Sequence, residues 1–489
     1  MITRIKINGF KSLVDTELYF GPFTCIAGAN AIGKSNFFDA LSFLSNLADK
    51  TIIEAAKSVR SENQKHSNIR DIFFMSGNKF LETMSFEVDL LIPKNGVDDL
   101  GQPAEATITS LRYILVLKLN ENGDHEPVEI VDEELLPITQ TQTKASIYFS
   151  YRTEWIKSVV SGRRSTKIPF ISTEGGKIKL HQDGSKGRST EFIANKMPRT
   201  LLSTVTAESP TAFLLRQEMR NWAMLQLETS ALRQPNSIYE VKNARISANG
   251  LNLPATLFRL HSEKKEKDVY QTLTNKLKGL VEEVDEIFID KDEKRDLLTL
   301  HVKFKDGLSF PAQSLSDGIL RFLGLAIIQE DSAGSSLICL EEPENGINPK
   351  KIQEMVGLLE DMAIDTIYEV DEDNPLRQVI INTHSPIVVR SVSDDCLYLA
   401  KSHTGFSDTF NQKVSYTKFS ALKGTWKTKN IPLLDITSLG EIATYLESNA
   451  FTEKYAGVSE SKVNYSIDGL VERRQTVEQN VAKQLRFDY

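Results

Sequence analysis

The chain has 489 residues, with 58 basic and 66 acidic side chains and a net charge of −8. That length favours two or three lobes over a single core. A composition of 40% hydrophobic and 25% charged residues excludes the disordered and collagen-like classes. No apolar run approaches the ~18 residues of a membrane span; the best, 319–328, is broken by Arg321. Net acidity argues against wholesale coating of nucleic acid but not against a local basic groove. Cys25, Cys339 and Cys396 lack CxxC spacing and each falls in an apolar, strand-like run. They read as small hydrophobes in a reduced, cytoplasmic protein. The first residues alternate like a strand and lack the apolar core of a secretory signal.

Residues 2–26 read as strands that end in the apolar run 23–27. Residues 28–35 spell Gly-Ala-Asn-Ala-Ile-Gly-Lys-Ser. Phe37, Leu41, Leu44 and Leu47 then recur at helical spacing. Alternating runs from Met84 and over 111–119 predict antiparallel strands joined by hairpins. Residues 157–199 hold ten basic against three acidic side chains. This stretch is either a solvated hairpin face or a nucleic-acid contact. From 210 to 283 the pattern turns helical, and short strands follow at 287–289, 297–304, 337–340, 379–381 and 396–400. Ser438 and Glu441 spell a capping box, and 469–485 carries Leu470, Val477, Val481 and Leu485 at helical spacing. That last helix either packs on the rest of the chain or docks a partner. There is no internal repeat and no sustained heptad run, which excludes a long coiled coil.

Four motifs carry chemistry. Gly28-x-x-x-x-Gly33-Lys34-Ser35 lies between a strand and a helix, so its amides can face a β-phosphate at a helix N-terminus. Lys34, expected to be solvent-exposed, would bridge the β- and γ-phosphates, and Ser35 would hold Mg²⁺. An apolar strand ending in Glu341-Glu342-Pro343 delivers two carboxylates to a sheet edge. Glu341 is assigned to metal support and Glu342 to general base. Ser316 and Gly318 open a helix and form a second anion site. His384, in Asn-Thr-His-Ser-Pro after a strand, is placed to bond the γ-phosphate and sense its loss.

In this order the four motifs resemble the set of an ABC-type ATPase head. Gly-Lys-Ser-Asn36, Leu-Ser-Asp-Gly-Ile-Leu-Arg321 and Glu-Glu-Pro-Glu-Asn-Gly-Ile347 resemble its RecF/SMC-like branch, as does Leu-Arg-Gln-Pro at 232–235 followed by Gly-Leu-Asn-Leu at 250–253. The resemblance implies an α/β fold: a P-loop NTPase with a mixed sheet, an antiparallel β subdomain and a helical lobe. It implies ATP and Mg²⁺ as ligands, with Gly28, Asn30, Gly33, Lys34, Ser35 and Asn36 on the nucleotide. It also implies head-to-head pairing with a second copy, whose Ser316 and Gly318 would close on this chain's ATP. The implied divisions are an ATPase lobe at 1–90, a basic β-rich insertion at 91–200 and a helical/β insertion at 201–310. A second ATPase lobe covers 311–400, and a partner-docking region 401–489. Two departures stand out: Asn348 replaces a histidine common in the family, and Gln64 alone is a candidate for the lobe-linking glutamine loop.

Among branches, the SMC arms are missing, and residues after 399 contain neither the Asp-x-Asp of a Toprim nuclease nor a His–Asn–His pattern. The chain therefore reads as an ATPase that is not itself a nuclease. It looks like the Septu ATPase of bacterial anti-phage defence and its retron-associated relatives, which implies a separately encoded HNH endonuclease as partner. A RecF-like repair clamp that holds DNA, and an ATPase of another defence system, are the alternatives.

Overall fold

The computed structural model describes the chain except residues 60–68, 121–127, 163–167, 184–188, 265–267, 333, 432–433, 439, 443 and 445–489. Residues Met1–Ile442 form one compact unit. The second unit, Ala443–Tyr489, lies outside the described residues apart from Thr444, and the expected helix at 469–485 with it.

Two sheets and a helix between them position the site. The central sheet runs Trp222–Leu225, Leu337–Glu341, Gln378–Thr383, Phe23–Ala27, Leu397–Ser407, Gln412–Leu422 and Asp435–Thr437 in spatial order. Its first five strands are parallel. A parallel strand is covered on both faces, so its sequence is apolar without alternation; Phe23–Ala27 and Gln378–Thr383 are buried at every residue. The second sheet has eight antiparallel strands, with Val128–Pro137 and Ser110–Leu119 at its middle and Ile2–Asn8 next to one edge. Here the buried residues alternate, as in Ser110–Leu119, because one face meets the core and the other does not.

The helix Lys34–Leu47 is sandwiched by aromatic contacts in both directions. Phe37 meets Phe419 of the central sheet at 6.2 Å between ring centres, and Phe43 meets Phe86 of the antiparallel sheet at 5.9 Å. One hydrophobic core thus spans all three layers. A third element, the helical lobe, packs Leu253–Glu263, Val269–Leu280 and Asp317–Glu330 together beside the strands Val284–Asp292 and Leu297–Phe304. This is an α/β fold of the ABC-type ATPase head, and no long coiled coil occurs among the described residues.

Three sequence expectations change. The stretch read as helical from 210 is interrupted by the strand Trp222–Leu225, which pairs in parallel with Leu337–Glu341. Four residues directly after the helix Pro210–Arg220 are too few to show a period. Cys396 ends a single-turn 3-10 helix, Asp394–Cys396, rather than sitting in a strand. Of the basic stretch, Lys177 and Lys179 spend their charge on Glu191 and Glu174 across neighbouring strands, while Arg163, Arg164, Lys167, Lys186 and Arg188 lie outside the described residues, as does Gln64. The central sheet also continues past residue 400. The capping box forms: Glu441 accepts from the Ser438 amide at 2.9 Å and donates its own amide to Ser438 Oγ. No helix among the described residues is long and apolar enough to cross a membrane.

Candidate functional site

Parallel strands bring their C-terminal ends to one edge, where loops meet in a crevice. Register fixes which residues meet here: Ala27 lies opposite Thr383, Asn382 opposite Glu341, and Leu340 opposite Leu225. The residues that follow these strand ends line a cleft of ≈ 480 Å³. Its walls include Asn30, Gly33, Lys34, Ser35, Asn36, Glu341 and Glu342, joined by Gln226, Arg321, Asn345 and Asn382.

The loop after Phe23–Ala27 is held by contacts that only glycine permits. Gly33 has φ 94°, and a Cβ there would stand 2.1 Å from Thr417 Oγ1 and 2.5 Å from Ser12 Oγ. Those hydroxyls lie 2.6 Å apart, and Thr417 donates to Ile32 O at 2.7 Å. The Asn36 amide donates to Ser12 Oγ at 2.7 Å, so Asn36 braces the loop as well as facing the cleft. At Gly28 a Cβ would meet Ile32 Cδ1 at 2.4 Å and Ala400 O at 2.8 Å. The curl leaves the first amides of Lys34–Leu47 directed at the cleft, a site suited to phosphate.

Lys34 is buried, contrary to the exposed lysine expected from sequence. Its Nζ folds back to donate to Gly28 O and Ala29 O, both at 2.7 Å. Burial pushes its pKa below the usual lysine value, while the charges of Glu342, Glu344 and Glu341 oppose that shift.

Glu342 begins a tight turn at φ 46°. Its amide donates to Asn382 O at 3.0 Å and to Asn382 Oδ1 at 3.2 Å. One carboxylate oxygen accepts from His384 Nδ1 at 2.7 Å and the other from Asn345 Nδ2 at 2.9 Å. Burial alone would raise its pKa; the bonds from Asn345 and His384, with the charges of His384 and Lys34, bring it below the usual carboxylate range. Glu342 is therefore oriented and ionised. His384, expected to face a phosphate, holds this carboxylate through Nδ1. Behind the turn, buried Glu344 accepts from the Thr383 hydroxyl, which in turn accepts from the Ser385 amide at 2.9 Å. Burial raises the Glu344 pKa.

Ser316 and Gly318 are not part of their own chain's cleft. Ser316 caps the helix Asp317–Glu330, and a Cβ on Gly318 would lie 2.6 Å from Gly346 O. Arg233 Nη2 ties the turn down by donating to Leu315 O at 2.9 Å and to Asp317 Oδ1 at 2.6 Å. The 232–235 and 250–253 segments meet as well, Gly250 packing against Leu232. Asn348 caps its own turn by accepting from the Lys350 amide at 3.0 Å.

Sequence reasoning missed Gln226 and Arg321. Gln226 directly follows the overlooked strand, so its apolar Trp-Ala-Met-Leu was the available signal. Arg321 sits in the quoted Leu-Ser-Asp-Gly-Ile-Leu-Arg segment, but nothing local shows which way it points.

A sequence profile described as "AAA ATPase domain" (AAA_15) matches residues 1–389. The chain belongs to this AAA ATPase domain family. Its fold is that of an ABC-type ATPase head, and its motif order resembles the SMC/RecF-like branch. No curated protein matches the chain. Among solved structures it is similar to an SMC head bound to the C-terminal winged-helix domain of ScpA, with 12% identity, a TM-score of 0.44, and 86% of this chain and 98% of that one covered. An SMC head domain from Thermotoga maritima gives 12% and 0.36, covering 85% and 97%. An SMC head with extended coiled coil, bound to the C-terminal domain of ScpA derived from Pyrococcus furiosus, gives 12% and 0.42, covering 92% and 99%. Likenesses this loose say nothing of this ATPase's partners.

The residues present fit Mg²⁺-ATP. The loop has amides for phosphate and no room for a Cβ at Gly33, while the Ser35 hydroxyl and the Glu341 carboxylate supply the hard oxygen ligands that Mg²⁺ takes.

Proposed function

We propose that the protein hydrolyses ATP in this cleft and pairs head-to-head with a second copy when ATP is bound. The observation that carries the reading is Glu342, an ionised carboxylate fixed by His384 and Asn345 in the cleft that Lys34 and Ser35 share. The loop amides and Lys34 hold the phosphate chain. Ser35 and Glu341 would hold Mg²⁺, which would neutralise phosphate charge. Gln226 and Asn382 border the space for an attacking water, and Glu342 accepts its proton. His384 and Asn345 keep that carboxylate aimed. Absence of Ser316 and Gly318 from their own cleft supports their service to the partner's nucleotide.

Glu342→Gln keeps the size of the side chain and loses the base. Phosphate release from ATP should fall by roughly 10²-fold or more while ATP binding persists. Hydrolysis at the wild-type rate would overturn the assignment.

The resemblance to compact RecF-like heads that lack SMC arms further supports a role in bacterial anti-phage defence, in which this ATPase would control a separately encoded HNH endonuclease. Co-purification with an HNH protein encoded beside it, together with phage protection that Lys34→Ala abolishes, tests that role. A neighbourhood of recombination genes and no such partner would favour the ATP-gated DNA clamp instead.

A further inference from the structure

The helix Asp317–Glu330 carries a cation, Arg321, that has no carboxylate partner among the described residues. Arg321 lies in its second turn and lines the cleft together with Gln226, Glu341 and Asn345. Its Nε is buried and has no hydrogen-bond partner. The carboxylate one turn back, Asp317, is taken by Arg233 at 2.6 Å, and no carboxylate among the described residues forms an ion pair with Arg321. A buried guanidinium nitrogen without an acceptor is costly. Arg321 as a whole is only half-buried and lines the cleft, so an acceptor that enters there can reach its guanidinium.

Charge says what kind of group that is. The cleft is lined by two cations, Lys34 and Arg321, and two anions, Glu341 and Glu342. Lys34 already donates to two loop carbonyls. Without Arg321 the walls would be net negative before any phosphate arrived. A guanidinium offers a planar fork of donors matched to phosphate oxygens. The loop amides suit the inner phosphate, and the strand-end groups Gln226, Glu341 and Glu342 stand on the side where a chain would end. Arg321 lies one turn before Gly324 on the same helix, and Gly324 packs against Leu227, next to Gln226.

We propose that Arg321 binds the terminal phosphate of the nucleotide held by its own chain and so sets a preference for a nucleoside triphosphate over a diphosphate. The proposal rests on the reading that this cleft takes ATP. It gives the helix two contacts: Ser316 at its start for the partner's nucleotide, and Arg321, about 7.5 Å further along its axis, for its own.

The test is equilibrium binding of fluorescent ATP and ADP, with Mg²⁺, to the full chain as wild type, Arg321→Ala, Arg321→Lys and Lys34→Ala. Arg321→Ala should weaken ATP roughly tenfold or more and leave ADP within about twofold. Arg321→Lys should fall between, and Lys34→Ala should weaken both nucleotides. An unchanged ATP-to-ADP ratio in a normally melting Arg321→Ala overturns the proposal while leaving the ATP reading intact. A wild-type protein that binds neither nucleotide overturns the ATP reading itself. Should Arg321→Ala melt low, the same ratio in Arg321→Lys decides: a reduced ratio supports the contact, and an unchanged one refutes it.

Discussion

Lys34 shows how one side chain can be both a binding group and part of the loop that presents it. Two carbonyls turn inward because the loop curls, and the ammonium is the donor that satisfies them. Lys34→Ala should therefore cost slightly more than a surface substitution, lowering the melting temperature by a few degrees at most while strongly weakening nucleotide binding. Ala29 O, at an exposed residue, can turn to water, which limits the structural cost. Calorimetry beside nucleotide titration checks the split. A variant that binds ATP normally would contradict the phosphate-loop reading. The motif itself was legible in sequence because its chemistry depends on contiguous residues. The burial of Lys34 was not, because it follows from a loop curl that glycine permits but does not spell out. His384 illustrates the same limit: its place after a strand was legible, and its grip on Glu342 required the register that sets Asn382 beside Glu341.

At the scale of elements, the strands that alternate or run fully apolar were legible, and Trp222–Leu225 was not. Tertiary pairing alone makes that tetrad a strand, and with it Gln226 a cleft residue. The antiparallel sheet carries a cost invisible in sequence. Glu133, on Val128–Pro137, is fully buried and accepts from the Leu201 and Leu202 amides at 2.7 and 2.9 Å and from the Tyr113 hydroxyl at 3.1 Å. Burial raises its pKa from 4.5 to about 7, against the lowering effect of those bonds. A carboxyl whose pKa is higher folded than unfolded binds its proton more tightly in the native state. Its contribution to stability is complete below the unfolded value and is lost as pH rises through about 7. The melting temperature should fall between about pH 5 and about pH 8. Burial, with the neighbouring charge of Asp361, gives Glu360 a shift of the same sign, so the fall alone does not single out Glu133. The fall should be shallower in Glu133→Gln, and identical slopes would mean that Glu133 does not titrate in this window.

Across the whole molecule, the proposed pairing makes the cleft of one chain and the Ser316–Gly318 turn of its partner two halves of one site. The turn is nonetheless rigidly prepared: Arg233 pins it on one side, and Gly346, just beyond Glu342, packs on the other. A partner's phosphate would thus meet a preset helix N-terminus, and the cost of ordering it is already met. Sedimentation of Glu342→Gln with ATP should show a dimer that is absent without nucleotide, because binding is kept and the reaction that releases the pair is blocked. Adding Arg233→Ala to that variant should loosen the turn and return the protein toward monomer, with nucleotide affinity of the single chain unchanged. If the double variant pairs as tightly as Glu342→Gln alone, the turn is not part of the contact between copies. If Glu342→Gln binds ATP and stays monomeric at every concentration, each chain works alone.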